Sequence, residues 1–143
     1  MGNKGTRNAL PSQMNVEVER RENSPRTIVE FCCGPDSLIG RATPYSKGCR
    51  IVRLTQEEDV TSEKGLAIAL DAVDNPDVLL WGSLPCTGGS AWQRINKYRP
   101  GGRTRLRQHY STFRKMWKSF EQVARITHDK GGAVAIEWPE HCC

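Results

Sequence analysis

The residues best placed to do chemistry are Cys86 and Glu137, each of which follows an apolar run typical of a buried strand. Cys86 ends the stretch DVLLWGSLPC at residues 77–86, and Glu137 ends an apolar run that begins at residue 133. Ligands of open α/β sheets bind beyond the carboxyl ends of the strands, so both side chains are expected at a ligand site. A thiolate is a nucleophile, and a carboxylic acid can hold or donate a proton.

Each of these residues also has a simpler interpretation. A lone cysteine is equally often a small buried hydrophobic residue, and a carboxylate after a strand is commonly a solvated end. Pro85 favours the reactive interpretation of Cys86, because its fixed φ and missing N–H end the strand and stiffen the backbone before the thiol.

The elements that position these residues follow from apolar periodicity. Strands are expected at residues 27–33, 49–54, 78–81 and 133–138. Helices are expected at residues 61–74, from Leu66, Ala69, Leu70 and Val73, and at residues 103–129, from Leu106, Tyr110, Phe113, Trp117, Phe120 and Ala124. Alternating strands and helices form right-handed crossovers, so the predicted fold class is α/β, three-layer, with a mostly parallel Rossmann-like sheet.

Composition sets the class of protein. Of the 143 residues, the first 26 are polar and without apolar periodicity, which predicts a disordered leader before one domain over residues 27–143. No secretory signal and no apolar stretch long enough for a bilayer is evident, so we expect an intracellular protein with no membrane partner. The six cysteines are then expected to be reduced, and their spacing predicts no metal site.

Basic residues are concentrated after the Pro-Cys pair. Lys and Arg outnumber Asp and Glu by 21 to 16, and the excess lies mainly in residues 94–118. This segment is either a phosphate-binding surface for DNA or RNA or a solvated helix face. The first interpretation makes candidate nucleic-acid contacts of Arg94, Arg99, Arg103, Arg105 and Arg107.

The order of these features resembles the amino-terminal, cofactor-binding half of the cytosine-C5 DNA methyltransferases. EFCCG at residues 30–34 is similar to the family's acid-aromatic-x-x-Gly turn, and DVT at residues 59–61 resembles its Gly-Asp-Ile/Val-Thr segment. Residues 77–86 match its Asp-Leu-Leu strand, glycine and Pro-Cys, with Thr87 where the family has Gln. EWP at residues 137–139 stands where the family has Glu-Asn-Val.

The resemblance implies an S-adenosylmethionine-dependent enzyme of DNA methylation. It implies that Cys86 adds to C6 of cytosine and that Glu137 holds or protonates N3, so that C5 can accept a methyl group. It also implies that the cofactor-binding residues are Phe31, Gly34, Asp59 and Pro85.

The chain also departs from this pattern. Pro35, Asp36 and Ser37 stand where the family has further glycines, and the family's later arginine motif and target-recognition region have no counterpart. The resemblance therefore implies a truncated domain whose own activity is open, with self-association or a second polypeptide to complete its sheet. Two alternatives are a non-enzymatic nucleic-acid-binding remnant that uses residues 94–118 and a different thiol enzyme on a similar sheet.

Overall fold

The computed structural model describes residues 25–85 and 93–138, and of Arg94 the backbone alone. Cys86 therefore lies outside the described residues, and so does the predicted leader except for its last two residues, Pro25 and Arg26. In chain order the elements are β1 (Thr27–Phe31), β2 (Arg50–Leu54), α1 (Glu63–Ala72), β3 (Val78–Gly82), α2 (Gln93–Asn96), α3 (Gly102–Asp129) and β4 (Ala133–Ile136). All four predicted strands and both predicted helices are confirmed.

The four strands form one parallel sheet in the order β2-β1-β3-β4. From β1 the chain passes to β2 on one side, and it then returns over β1 to β3 on the other side. The direction of winding therefore reverses between β1 and β3, which is where open α/β sheets bind ligands. The predicted parallel α/β class is confirmed.

The core lies between one face of the sheet and the helices α1 and α3. Alternate strand residues such as Val29, Phe31 and Leu80 point into it and are fully buried. The Phe31 ring packs edge-to-face on Phe120 of α3, with ring centroids 5.2 Å apart. Gly82 is required beneath this contact, because a Cβ at that position would meet the Phe120 ring. Helix α1 contacts β1 and β2, while α3 contacts β3 and β4.

The three-layer prediction is wrong for the described residues, because both long helices pack on the same face of the sheet. The opposite face of β1 and β2 is contacted by an irregular segment, residues 32–49, in which Gly40 packs against Ile51. At the start of this segment the chain forms a turn in which the Ser37 N–H donates to the Gly34 carbonyl. Side-chain hydrogen bonds of Thr43 and Ser46 then satisfy backbone groups locally, in competition with a helix.

Helix α1 begins two residues after its predicted start, with Ser62 as its N-cap: the Ser62 hydroxyl accepts a hydrogen bond from the Gly65 N–H at 3.0 Å. Leu66 and Leu70 pack against the core that Ala69 and Val73 enter. Within the described residues, no helix has both the length and the apolar content that crossing a bilayer requires.

Helix α3 is longer than the sheet that it covers. Phe120 packs on Gly82, the last residue of β3, and Thr127 lies beside Gly132 near the start of the strands. Residues 102–118, which we call the arm, therefore lie at and beyond the carboxyl ends of the strands and span about 25 Å along the helix axis. The predicted apolar face is partly wrong, because Tyr110 and Trp117 are 43% and 40% exposed.

Candidate active site

A cavity of about 590 Å³ lies at the carboxyl ends of β1, β2 and β3, closed on one side by the arm of α3. This is the point at which the strand order reverses, and its volume is in the usual range for small-molecule sites. The lining residues are Cys32, Cys33, Thr55, Gln56, Asp59, Val60, Thr61, Pro85, Thr112 and Met116.

The turn after β1 forms one wall of the cavity. Cys32 has a left-handed backbone with φ of 61°, which is costly for a residue other than glycine. Its Sγ lies 3.9 Å from Met116 Sδ, and burial, followed by the neighbouring Cys33, raises the pKa of Cys32 to about 12. Burial, followed by the charge of Glu30, also raises the pKa of Cys33. Both thiols are therefore protonated at neutral pH and are poor nucleophiles.

The turn after β2 places two ionised carboxylates near the mouth of the cavity. Glu58 Oε2 accepts hydrogen bonds from the hydroxyl of Thr55 at 2.6 Å and from its N–H at 2.8 Å. Asp59 Oδ1 accepts from the hydroxyl of Thr61 at 2.7 Å and from its N–H at 3.1 Å. These bonds lower the pKa of both acids, those from the hydroxyls most strongly. Asp59 is exposed, and its Oδ2 is available to accept a hydrogen bond from a ligand.

A chain of hydrogen bonds fixes Glu137 at the neighbouring edge. The Glu137 N–H donates to the Gly82 carbonyl at 2.8 Å, which continues the register between β3 and β4 for one residue. Trp81 Nε1 donates to Ser83 Oγ at 3.1 Å, and Ser83 Oγ donates to Glu137 Oε2 at 3.3 Å. The carboxylate is thus exposed but oriented. Pro85, the residue before Cys86, lines the cavity.

The structure brings two of the four predicted cofactor residues to the cavity. Asp59 and Pro85 line it, whereas Phe31 is fully buried against Phe120 and Gly34 is exposed outside the lining. Glu30, the acid of the EFCCG motif, is buried on the opposite face of the sheet, beside Arg53 and Gly40.

Sequence reasoning missed several lining residues on the second turn and on the arm. Thr55 follows β2 directly, and Thr112 and Met116 lie one helical turn apart on α3. The spacing of Thr112 and Met116 places them on one side of the helix, but the sequence alone gives no sign that this side faces a cavity.

The candidate nucleic-acid residues lie on or before the arm. The side chains of Arg99, Arg103, Arg105 and Arg107 are exposed, and Arg94 belongs to α2. None of these four exposed arginines forms an ion pair within the described part of the chain. Comparison of the chain with known protein families, with curated proteins and with solved structures found no match.

Proposed function

We propose that this domain binds S-adenosyl-L-methionine in the cavity and is built to methylate C5 of cytosine in a nucleic acid. The observation that carries the proposal is that Asp59 and Pro85, which are 26 residues apart in the sequence, line one cavity at the switch point of a parallel sheet. Both residues belong to motifs that resemble those of the cytosine-C5 methyltransferases.

The lining suits an adenosine that carries a charged amino-acid tail. Asp59 offers an ionised acceptor for an amino group, and the hydroxyls of Thr55 and Thr61 lie on the same side. Met116 and Pro85 supply apolar surface for a purine ring. When bound, the cofactor would supply an electrophilic methyl group on a sulfonium.

The remaining chemistry belongs to Cys86 and Glu137. The Cys86 thiolate would form a bond to C6 of cytosine, which moves electron density to C5 and towards N3. Glu137 would hold a proton at N3 as negative charge develops there, and Ser83 would keep its carboxyl group in place. After C5 has been alkylated, loss of its proton and breakage of the bond between sulfur and C6 would release the thiolate.

The test is calorimetric titration of the full chain with S-adenosylhomocysteine, the demethylated product. We expect saturable binding, which Asp59→Asn weakens about tenfold, because a charge-assisted hydrogen bond becomes a neutral one. The amide oxygen of Asn can still accept from Thr61, so the turn is retained. Asp71→Asn, at an exposed acid on α1, is the matched control and should bind as the parent does. No heat and no thermal shift at millimolar ligand would contradict the cofactor proposal.

The arm favours a second function, the binding of nucleic acid without catalysis. From Gly102 to Lys118 it carries six Lys and Arg residues and no Asp or Glu. Such a charge distribution attracts a phosphate backbone whatever the state of the cavity. In the first proposal the same surface would hold the substrate strand near Glu137.

A further inference from the structure

We propose that the arm binds single-stranded nucleic acid by stacking bases on Trp117 and Trp138 while its arginines hold the phosphates. This inference rests on the nucleic-acid-binding function proposed above. It adds that the nucleic acid is single-stranded and that its bases stack on aromatic rings.

The first observation is an aromatic cluster that is open to solvent. The ring centroids of Trp117 and Trp138 lie 6.0 Å apart at an interplanar angle of 77°, and Phe113 supports Trp138 at 5.9 Å. Trp117 is 40% and Trp138 is 41% exposed. Two indole rings with free surface therefore meet between α3 and the carboxyl end of β4. Exposed aromatic rings are the platforms on which unpaired bases stack.

The second observation is the charge around this cluster. One flank of the arm leads to Trp117 and carries one residue in each helical turn. At alternating spacings of four and three, these residues are Arg103, Arg107, Tyr110 and Arg114. All of these side chains are exposed, and within the described residues the three arginines form no ion pairs. Cations interleaved with rings match a polymer that alternates phosphates and bases.

The acids near the aromatic cluster indicate where a bound nucleic-acid strand would lie. Glu121 lies one turn beyond Trp117 and is paired with Arg125 at 3.5 Å, while Glu137 precedes Trp138 and accepts from Ser83. Phosphates are therefore favoured along the arm as far as Lys118 and less favoured beyond it. A strand that follows the arm from Arg103 would bring its bases to the two indoles and its next nucleotide towards the edge that holds Glu137.

The stacking mode selects single strands. Bases in a duplex are already stacked and present only their edges, so exposed indole faces gain nothing from double-stranded DNA. An apolar patch beside β4 would also suit a protein partner, but the six cations of the adjoining arm, which itself contains no Asp or Glu, favour a polyanion.

The test measures fluorescence anisotropy of three labelled ligands with the full chain: a twelve-nucleotide oligothymidine, an abasic strand of equal length and a duplex. We expect the oligothymidine to bind about tenfold more tightly than the abasic strand, as expected for stacked bases. Trp117→Leu should remove most of that difference, and Trp117→Phe should restore part of it. Tyr45→Leu is the matched control, because Tyr45 is 96% exposed on the segment that covers the other sheet face.

Thermal melts establish that each variant is folded, and Trp138→Leu replaces Trp117→Leu if the latter does not fold. Equal affinity for oligothymidine and the abasic strand, unchanged in the leucine variants, would overturn stacking while leaving phosphate binding intact. Failure of every strand to bind would overturn the nucleic-acid function itself. Loss of self-association in Trp117→Leu, with unchanged affinity for oligothymidine, would assign the cluster to a protein interface and overturn the proposal.

Discussion

Glu30 is fully buried, and among the described residues one cation, Arg53, lies beside its carboxylate. Its Oε1 lies 3.4 Å from Arg53 Nε, and within the described residues neither carboxylate oxygen nor that Nε has a hydrogen-bond partner. Gly40 closes the site, because a Cβ there would clash with Glu30 Oε1 and with Ile51. A buried charge held by one ion pair is stable only while its partner stays in place.

Removing that partner should destabilise the domain. We expect Arg53→Met to lower the free energy of unfolding by about 2 kcal/mol, less than for a fully buried pair because Arg53 is partly exposed. The double variant Glu30→Met, Arg53→Met should recover more than half of the loss, since no buried charge remains. Urea unfolding followed by tryptophan fluorescence measures both.

Arg50→Met, at an exposed arginine at the other end of β2, serves as the control and should change stability little. If Arg53→Met and the control are equally stable, the pair contributes nothing and Glu30 has another partner.

At the residue scale, the sequence predicts which residues have the chemistry for a ligand site. It predicts less well which way their side chains point. Asp59 and Pro85 were predicted from motifs and do line the cavity. Phe31 and Glu30 were assigned to the same ligand turn, although adjacent strand residues must point to opposite faces and neither lines the cavity. The left-handed backbone of Cys32 could not be predicted, because a non-glycine residue there is held by tertiary contacts.

Among the elements, α3 has the greatest consequence for function. It has 28 residues, whereas the strands have four or five. Apolar periodicity located the helix correctly. How far the helix extends past the sheet depends on the lengths of the strands, which periodicity does not define. The same excess explains why Tyr110 and Trp117 are exposed although their spacing is that of a buried face.

The basic residues of the arm should govern the salt dependence of nucleic-acid binding. Affinity for a single strand should fall linearly with salt on logarithmic axes, with each neutralised phosphate contributing about 0.7 to the slope. Replacing Arg103, Arg105 and Arg107 by Glu should therefore flatten the slope by about 2. Anisotropy titrations at several salt concentrations give the slope.

A triple variant with the same change in net charge is the control: Arg41, Arg50 and Lys64 replaced by Glu, all exposed and outside the arm. Equal slopes for the two triple variants would place the binding surface elsewhere.

At the scale of the whole molecule, one edge of the sheet is apolar and open within the described residues. β4 has the sequence AVAI and carries no charge, and Val134 and Ile136 are 41% and 40% exposed. Natural edge strands usually carry charges or bulges that prevent pairing with another chain. Parallel pairing followed from the alternation of elements. The strand order was not predicted, and neither was the layer on the second face, because no periodic pattern marks an irregular covering segment.

The open edge leads us to expect self-association of the full chain. Sedimentation velocity under reducing conditions should show a mass that rises with concentration, and Val134→Lys should shift the population towards monomer by placing a charge on β4. Ala67→Lys, at an exposed position on α1, should leave the distribution unchanged. A parent chain that is monomeric across a wide concentration range would contradict this expectation.

The start of α3 has a further consequence for how the arm keeps its shape. Gly101 is the N-cap and makes no side-chain hydrogen bond, the first turn has no acid, and Arg103 and Arg107 repel each other across one turn. Cations at the positive end of the helix dipole oppose the helix that bears them. The last third of α3, beyond Phe120, is stabilised by packing on the sheet, and a bound chain of phosphates would stabilise the arm in the same way. Helix formation in the arm and capture of a polyanion would then be one coupled equilibrium, in which the ligand completes the fold of the surface that binds it.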